Sequence, residues 1–167
     1  KYVSGVRVGQ SAIAVKEGFF ARTKTCNYLP NVLMKKEAVD RGFDFVVSVD
    51  EEGYLAESST ENFAMFDASG VFVMPAFERI LRGVTAIRAM EVANMAGLKV
   101  ENRRFRSEEL QLAKGAVMLG TTIDVLPVKS FEAREFGAVP DECRKLMRAF
   151  DEDLRVGPLN LKLRTDS

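Results

Sequence analysis

The sequence predicts a single domain of the α/β or α+β class, and three observations carry that reading. Two pairs of short apolar runs are each joined by a turn containing Asp and Gly, the pattern of antiparallel hairpins. Three segments repeat apolar residues at three- and four-residue spacing and are bounded by a proline at the start, a glycine at the end, or both. Strand-like and helix-like segments interleave along the chain.

From the N-terminus, residues 6–15 are apolar enough for a strand. Pro30 then sits in the first turn of a helix over NVLMKKEAVDRG, and Gly42 is placed to end it. Phe43, Phe45, Val47 and Val49 alternate with Asp44, Val46, Ser48 and Asp50, a period of two. The turn Asp50-Glu51-Glu52-Gly53 leads into a second strand over 54–58. A further pair, 62–66 and 71–74, flanks Asp67-Ala68-Ser69-Gly70 and closes at Pro75. Ile87, Met90, Ala93 and Asn94 recur at helical spacing within 85–96, which Gly97 ends. Residues 98–100 return as strand, and Ser107 is placed to cap a helix with Glu108 and Glu109 in its first turn. AVMLG reads as a buried strand and 125–128 as a short edge strand. Pro140 opens an amphipathic helix with Cys143, Leu146, Met147, Phe150 and Leu154 on one stripe, stopped by Gly157-Pro158.

Composition narrows the function classes. The 167 residues hold 24 Lys+Arg and 24 Asp+Glu, so no net charge draws the chain to nucleic acid or an anionic membrane. With 47% hydrophobic and 29% charged residues it can bury a core, unlike a disordered chain. There is no histidine, which removes imidazole triads, His-ligated metals and imidazole acid–base pairs. Proton chemistry falls to Lys, Glu, Asp, Tyr or Cys. Cys26 and Cys143 stand too far apart for a zinc motif or a disulfide framework, so a reducing compartment, the cytoplasm, is expected. No run approaches the roughly 18 apolar residues of a membrane span, and the opening KYVSGVRVGQ lacks the layout of a signal peptide. The chain opens at Lys1, without an initiator Met and in strand-like sequence, and is therefore expected to be part of a longer polypeptide. Residues 1–167 are read as one domain.

Three places combine the right residue types for chemistry. Lys24 lies in the mostly uncharged stretch Thr23-Lys24-Thr25-Cys26-Asn27-Tyr28, where desolvation would favour a neutral, nucleophilic amine. A surface lysine at a strand end is the plainer alternative. Glu57 precedes the polar cluster Ser58-Ser59-Thr60-Glu61-Asn62 between two apolar strands, either as a partly buried carboxylate among donors or as an exposed loop acid. Gly83-Val84-Thr85 opens a helix where free N–H groups and a hydroxyl suit an anion, or where Thr85 is simply a cap. Gly120-Thr121-Thr122 offers a second turn of the same kind.

These residues fall in a known order. Lys24-Thr25-Cys26-Asn27-Tyr28-Leu29, Glu57-Ser58-Ser59-Thr60-Glu61-Asn62, Ile80-Leu81-Arg82-Gly83-Val84-Thr85 and Gly120-Thr121-Thr122 with Pro127-Val128 resemble the class IV aminotransferases in order and spacing. These are the fold-type IV pyridoxal-phosphate enzymes, which include branched-chain and D-amino-acid aminotransferases and aminodeoxychorismate lyases. The likeness runs from about Val6 to about Phe150.

The resemblance implies that Lys24 forms a Schiff base with pyridoxal 5'-phosphate and later moves a proton between substrate and cofactor. It further implies that Glu57 pairs with the pyridine nitrogen and that Tyr28 bonds the ring hydroxyl oxygen. Leu81 would lie against the ring, while Val84, Thr85, Thr121 and Thr122 would hold the phosphate. The implied fold is a mixed, partly antiparallel sheet curled into a pseudo-barrel with flanking helices, the large C-terminal domain of a two-domain enzyme. The smaller N-terminal domain is expected to be absent from this chain, and the intact protein to be a homodimer. The implied reaction is transamination between an amino acid, branched-chain or D, and a 2-oxo acid. The spacing Lys-Xaa-Xaa-Asn-Tyr-Leu-Pro-Asn leans toward the D-amino-acid members. Aminodeoxychorismate lyase, releasing pyruvate and 4-aminobenzoate, is the alternative, and a scaffold without turnover is a third. Ala86, where many members carry arginine, and Ala76, where a second proline is common, depart from the pattern.

Overall fold

The computed structural model describes residues 5–16 and 18–156. In chain order the elements are β1 (Val6–Gln10), α1 (Gly18–Ala21), α2 (Leu29–Asp40), β2 (Phe45–Val49), β3 (Leu55–Ser58), β4 (Asn62–Phe66), β5 (Phe72–Met74), α3 (Val84–Met95), β6 (Val100–Asn102), a 3-10 turn (Ser107–Gln111), β7 (Gly115–Gly120), β8 (Asp124–Phe131), β9 (Arg134–Glu135) and α4 (Asp141–Val156).

Six strands close on themselves in the order β1, β2, β3, β4, β7, β8 and back to β1. β1 runs parallel to both its neighbours, and the other pairs of the ring are antiparallel. One residue pair, Glu57 opposite Asn62, joins β3 to β4. Further along, β4 pairs instead with β5, which continues in parallel to β6. The sheet therefore closes at one end and opens at the other, the mixed partial barrel that the resemblance implies.

β4 shows why the sequence makes this arrangement. Phe63 and Met65 enter the barrel core with Val8, Val47, Met118 and Val128, while Ala64 and Phe66 face a second core outside it. A strand buried on both faces needs a continuous apolar run, and NFAMF supplies one. The outer core is completed by Ala86, Ala89 and Ala93 of α3 and by Cys143, Leu146 and Phe150 of α4. Small alanines let α3 approach the sheet closely. Ala86, one of the departures from the family pattern, is fully buried in this contact. On another flank α2 lays Met34 and Ala38 against Val46.

Several expectations need correction. The strand expected over 6–15 ends at Gln10, because Glu37 takes hydrogen bonds from the Ser11 hydroxyl at 2.6 Å and the Ala12 N–H at 3.0 Å and draws the chain onto α2. Residues 125–128 are not an edge: β8 is an eight-residue strand between β1 and β7. Pro127 is tolerated there because the ladder to β1 begins only after it, at Val6 opposite Val128, and shifts register at once. Ser107 does not cap an α-helix; Arg106 precedes a 3-10 turn. The strand expected from 98 begins at Val100, since Leu98 still bonds the helix end through Ala93 at 2.9 Å. In α4 the stripe is buried at Cys143, Leu146 and Phe150, whereas Leu154 is exposed. The stop at Gly157-Pro158 lies outside the described residues. Among those residues no helix is long and apolar enough to cross a membrane.

Candidate active site

The closure of the barrel builds the site. β3 and β4 are joined by a tight turn in which the Ser58 N–H bonds the Glu61 carbonyl at 2.9 Å, leaving Glu57 and Asn62 side by side at the rim. Both reach the backbone of the same residue from different strands. The Glu57 carboxylate accepts the Leu81 N–H at 3.0 Å, and the Asn62 side-chain amide donates to the Leu81 carbonyl at 2.9 Å. Leu81 is thereby fixed just ahead of α3. Gly83, the residue before that helix, has an ordinary negative φ of −61°, so its lack of a side chain serves space and not conformation. A Cβ there would run into the Asn62 side chain.

With the entry to α3 fixed in this way, the N–H groups of its first turn have no intrahelical partner, and no side-chain cap is made among the described residues. Thr85 sits inside the first turn and not at the cap, so its hydroxyl is not spent on capping. Across the rim, β7 ends at Gly120 in a turn where the Ile123 N–H bonds the Gly120 carbonyl at 3.1 Å, which brings Thr121 to the same place.

Lys24 lies in the connection between α1 and α2. Its ammonium donates to the Tyr28 hydroxyl at 3.2 Å, and Tyr28 is the residue from which α2 starts. Pro30, in the first turn of that helix, fixes the backbone direction there. The amine is exposed, so the desolvation expected from its uncharged neighbours in sequence is not supplied by the described residues.

Lys24, Tyr28, Glu57, Leu81, Val84, Thr85 and Thr121 line one open cavity of about 330 Å³. Of the residues expected at the site, Thr122 alone is not brought to it; it is exposed on the turn beyond Thr121. The cavity also takes in residues given no role from sequence: Lys16, Asn31, Asn62 and Arg82. Asn31, Asn62 and Arg82 belong to the motifs that carry the resemblance, whereas Lys16 lies outside all of them. Among the described residues no cluster of acidic and Cys side chains is placed to hold a metal ion.

Burial pushes the Glu57 carboxyl up to about 7 from an ordinary 4.5; the Leu81 N–H and then the positive charges of Lys16 and Lys24 act in the opposite sense. A carboxyl in that range holds or releases a proton near neutral pH, the property required of a group that shares a proton with a ligand nitrogen.

An exposed amine, a partly buried carboxyl and two hydroxyl-bearing turns thus share the lining of one cavity. A family model described as amino-transferase class IV matches residues 4–131. The chain is 30% identical over 95% of its length to a chloroplastic D-amino-acid transaminase of Arabidopsis thaliana, of which it covers 45%. It is 32% identical over 66% of its length to a branched-chain-amino-acid aminotransferase of Pseudomonas aeruginosa, covering 36% of that protein. Its fold matches the branched-chain aminotransferase from Escherichia coli at a TM-score of 0.82 and 26% identity, over 87% of this chain and 51% of that one. A second branched-chain enzyme, solved with pyridoxamine 5'-phosphate, matches at a TM-score of 0.80 and 30% identity, over 87% of this chain and 50% of that one. The chain belongs to the class IV aminotransferase family, which is pyridoxal-phosphate dependent. It spans about half the length, or less, of the relatives it matches.

Proposed function

We propose that this chain is the large, cofactor-binding domain of a pyridoxal-phosphate-dependent transaminase that moves an amino group between an amino acid and a 2-oxo acid. The observation that carries the reading is the convergence of Lys24, Glu57, Thr85 and Thr121 on one rim cavity. The cavity lies at the small end of the range for ligand sites, roughly 300–1,000 Å³, and its donors suit a phosphate at one side and a ring nitrogen at the other.

The first-turn N–H groups of α3 at Val84 and Thr85, with the hydroxyls of Thr85 and Thr121, would hold the phosphate. Leu81 would cover one face of the ring, and the Tyr28 hydroxyl would serve its hydroxyl oxygen. Glu57 would hold a proton at the ring nitrogen. Lys24 would anchor the group covalently. Pyridoxal phosphate, when bound, supplies an aldehyde that condenses with amines and a ring that accepts the electron pair released at the substrate Cα. Once freed, the Lys24 amine would take the proton from the substrate Cα and deliver it to C4′, the carbon that was the cofactor's aldehyde. Its hydrogen bond to the Tyr28 hydroxyl would help to orient the amine.

The open mouth supports a second part of the proposal. Phe19, Phe20, Leu29 and Val32, all exposed, flank the Lys24 segment. A smaller second domain and a second copy of the protein would cover this apolar rim and complete the substrate pocket. Two unpaired cysteines, Cys26 exposed and Cys143 buried, suit a cytoplasmic protein, although the Arabidopsis relative is named as chloroplastic.

The relatives named above are transaminases of branched-chain or D-amino acids, which favours amino transfer over elimination. The test is an assay of the intact protein with 2-oxoglutarate and a panel of L- and D-amino acids, beside aminodeoxychorismate. Amino transfer from a branched-chain or D-amino acid is expected. Release of pyruvate and 4-aminobenzoate without any transfer would reject the reading.

A further inference from the structure

Behind Glu57 lies a second, much smaller cavity of about 10 Å³, at the lower bound of what holds a single water. Its polar lining is Lys16, Asn31, Ser48, Glu57 and Ser58. The Ser48 hydroxyl is committed, donating to the Glu57 carbonyl at 2.8 Å, and the Asn31 amide nitrogen donates to the Ser59 carbonyl. Two buried atoms, Ser58 Oγ and Asn31 Oδ1, have no partner among the described residues. Ser58 is only 3% exposed, so bulk solvent does not satisfy it. Asn31 Oδ1 can only accept and the Ser58 hydroxyl can donate or accept, a set that one water completes.

Lys16 lines both this cavity and the larger one in front of Glu57. Its ammonium and that of Lys24 each stand 5.9 Å from the centre of the Tyr28 ring. The other titratable side chains lining the larger cavity are Tyr28, Glu61 and Arg82. Under the proposed function, on which this inference rests, the Lys24 amine is committed to the cofactor. Lys16 has no such duty.

We propose that Lys16 is the positioning residue that orients Glu57 and favours its charged form, acting with one buried water held by Ser58 and Asn31. The water donates to Asn31 Oδ1, accepts from the Ser58 hydroxyl and turns its remaining hydrogen to the Glu57 side chain. Lys16 adds a positive charge on the same side. Glu57 is then held on two sides, by the Leu81 N–H in front and by this water and cation behind.

The test follows the Glu57 carboxyl by infrared spectroscopy in the intact protein stripped of cofactor, using Glu57→Gln as the blank. Lys16→Met is expected to raise the Glu57 midpoint by about one pH unit, since a neighbouring positive charge has been removed. Lys16→Arg, which keeps the charge, is expected to restore it, and Ser58→Ala to give a smaller rise in the same direction. A crystal structure of the wild-type protein is expected to show a water between Ser58 and Asn31. A Lys16→Met midpoint equal to that of wild type overturns the role of Lys16, and a dry cavity overturns the water. Neither readout depends on bound cofactor, so their failure would leave the assignment of Lys24 intact. Failure of Lys24 to capture the cofactor would reject the proposed function instead.

Discussion

Lys24→Ala in the intact protein is expected to abolish the visible absorbance of the covalently held cofactor and to lower turnover by more than about 10³-fold. Two tasks fall on one nitrogen. The amine anchors the group and then carries the proton at Cα, so no partial substitute restores both. Lys16 shares the cavity, but it lines the side behind Glu57 as well and is not hydrogen-bonded to Tyr28 as Lys24 is at 3.2 Å. The check is an absorbance spectrum and a single-turnover assay on the purified variant. Wild-type absorbance with wild-type turnover would remove Lys24 from the mechanism. A variant that keeps phosphate-bound cofactor but turns over slowly would agree with it, because the α3 and Thr121 contacts stay in place.

Glu57→Gln is expected to keep the cofactor and lose about 10²-fold in kcat, the usual cost of removing one preorganised charge from a reaction site. Glutamine still accepts the Leu81 N–H but does not hold a ring nitrogen in its protonated form. The same substitution has a second, opposite effect on stability. Because the folded carboxyl is raised to about 7 from 4.5, the folded protein retains a proton between those values that the unfolded chain has lost. That contribution is complete below the lower value and vanishes as pH rises through the upper one, leaving a desolvated carboxylate. In cofactor-free protein Glu57→Gln should therefore be more stable than wild type by about 1–3 kcal/mol near pH 8 and equal to it near pH 4. Denaturant titrations at the two pH values check this. A variant less stable than wild type at the higher pH, or one with unchanged kcat, would contradict the role given to Glu57.

Local sequence carried much of the fold. The hairpins β2–β3 and β4–β5 and the helices α2, α3 and α4 follow from period and from Pro and Gly signals that act over a few residues. What sequence could not show depended on distant partners. Residues 125–128 read as a short edge strand, and only the pairing of β8 with both β1 and β7 reveals an interior one. The Ser11–Ala12 turn away from the sheet is set by Glu37, a residue on the next helix.

The site divides in the same way. Lys24 with Tyr28, and Gly83 with Thr85, are near neighbours and stand out as short motifs. The clamp of Glu57 and Asn62 on the Leu81 N–H and carbonyl exists only because the barrel closes at that pair. Lys16 was invisible for the same reason, since nothing in its own neighbourhood connects it to Glu57. Thr122 shows the limit of a motif, which gives the spacing of two hydroxyls but not the direction in which the turn presents them.

In the proposed enzyme the amine at position 24 forms the bond to pyridoxal phosphate. Borohydride reduction of the intact, cofactor-loaded protein, followed by peptide mapping, tests it most directly. A phosphopyridoxyl group on Lys24 alone is expected; the same label on Lys16 or on any other lysine, or on none, would overturn the assignment.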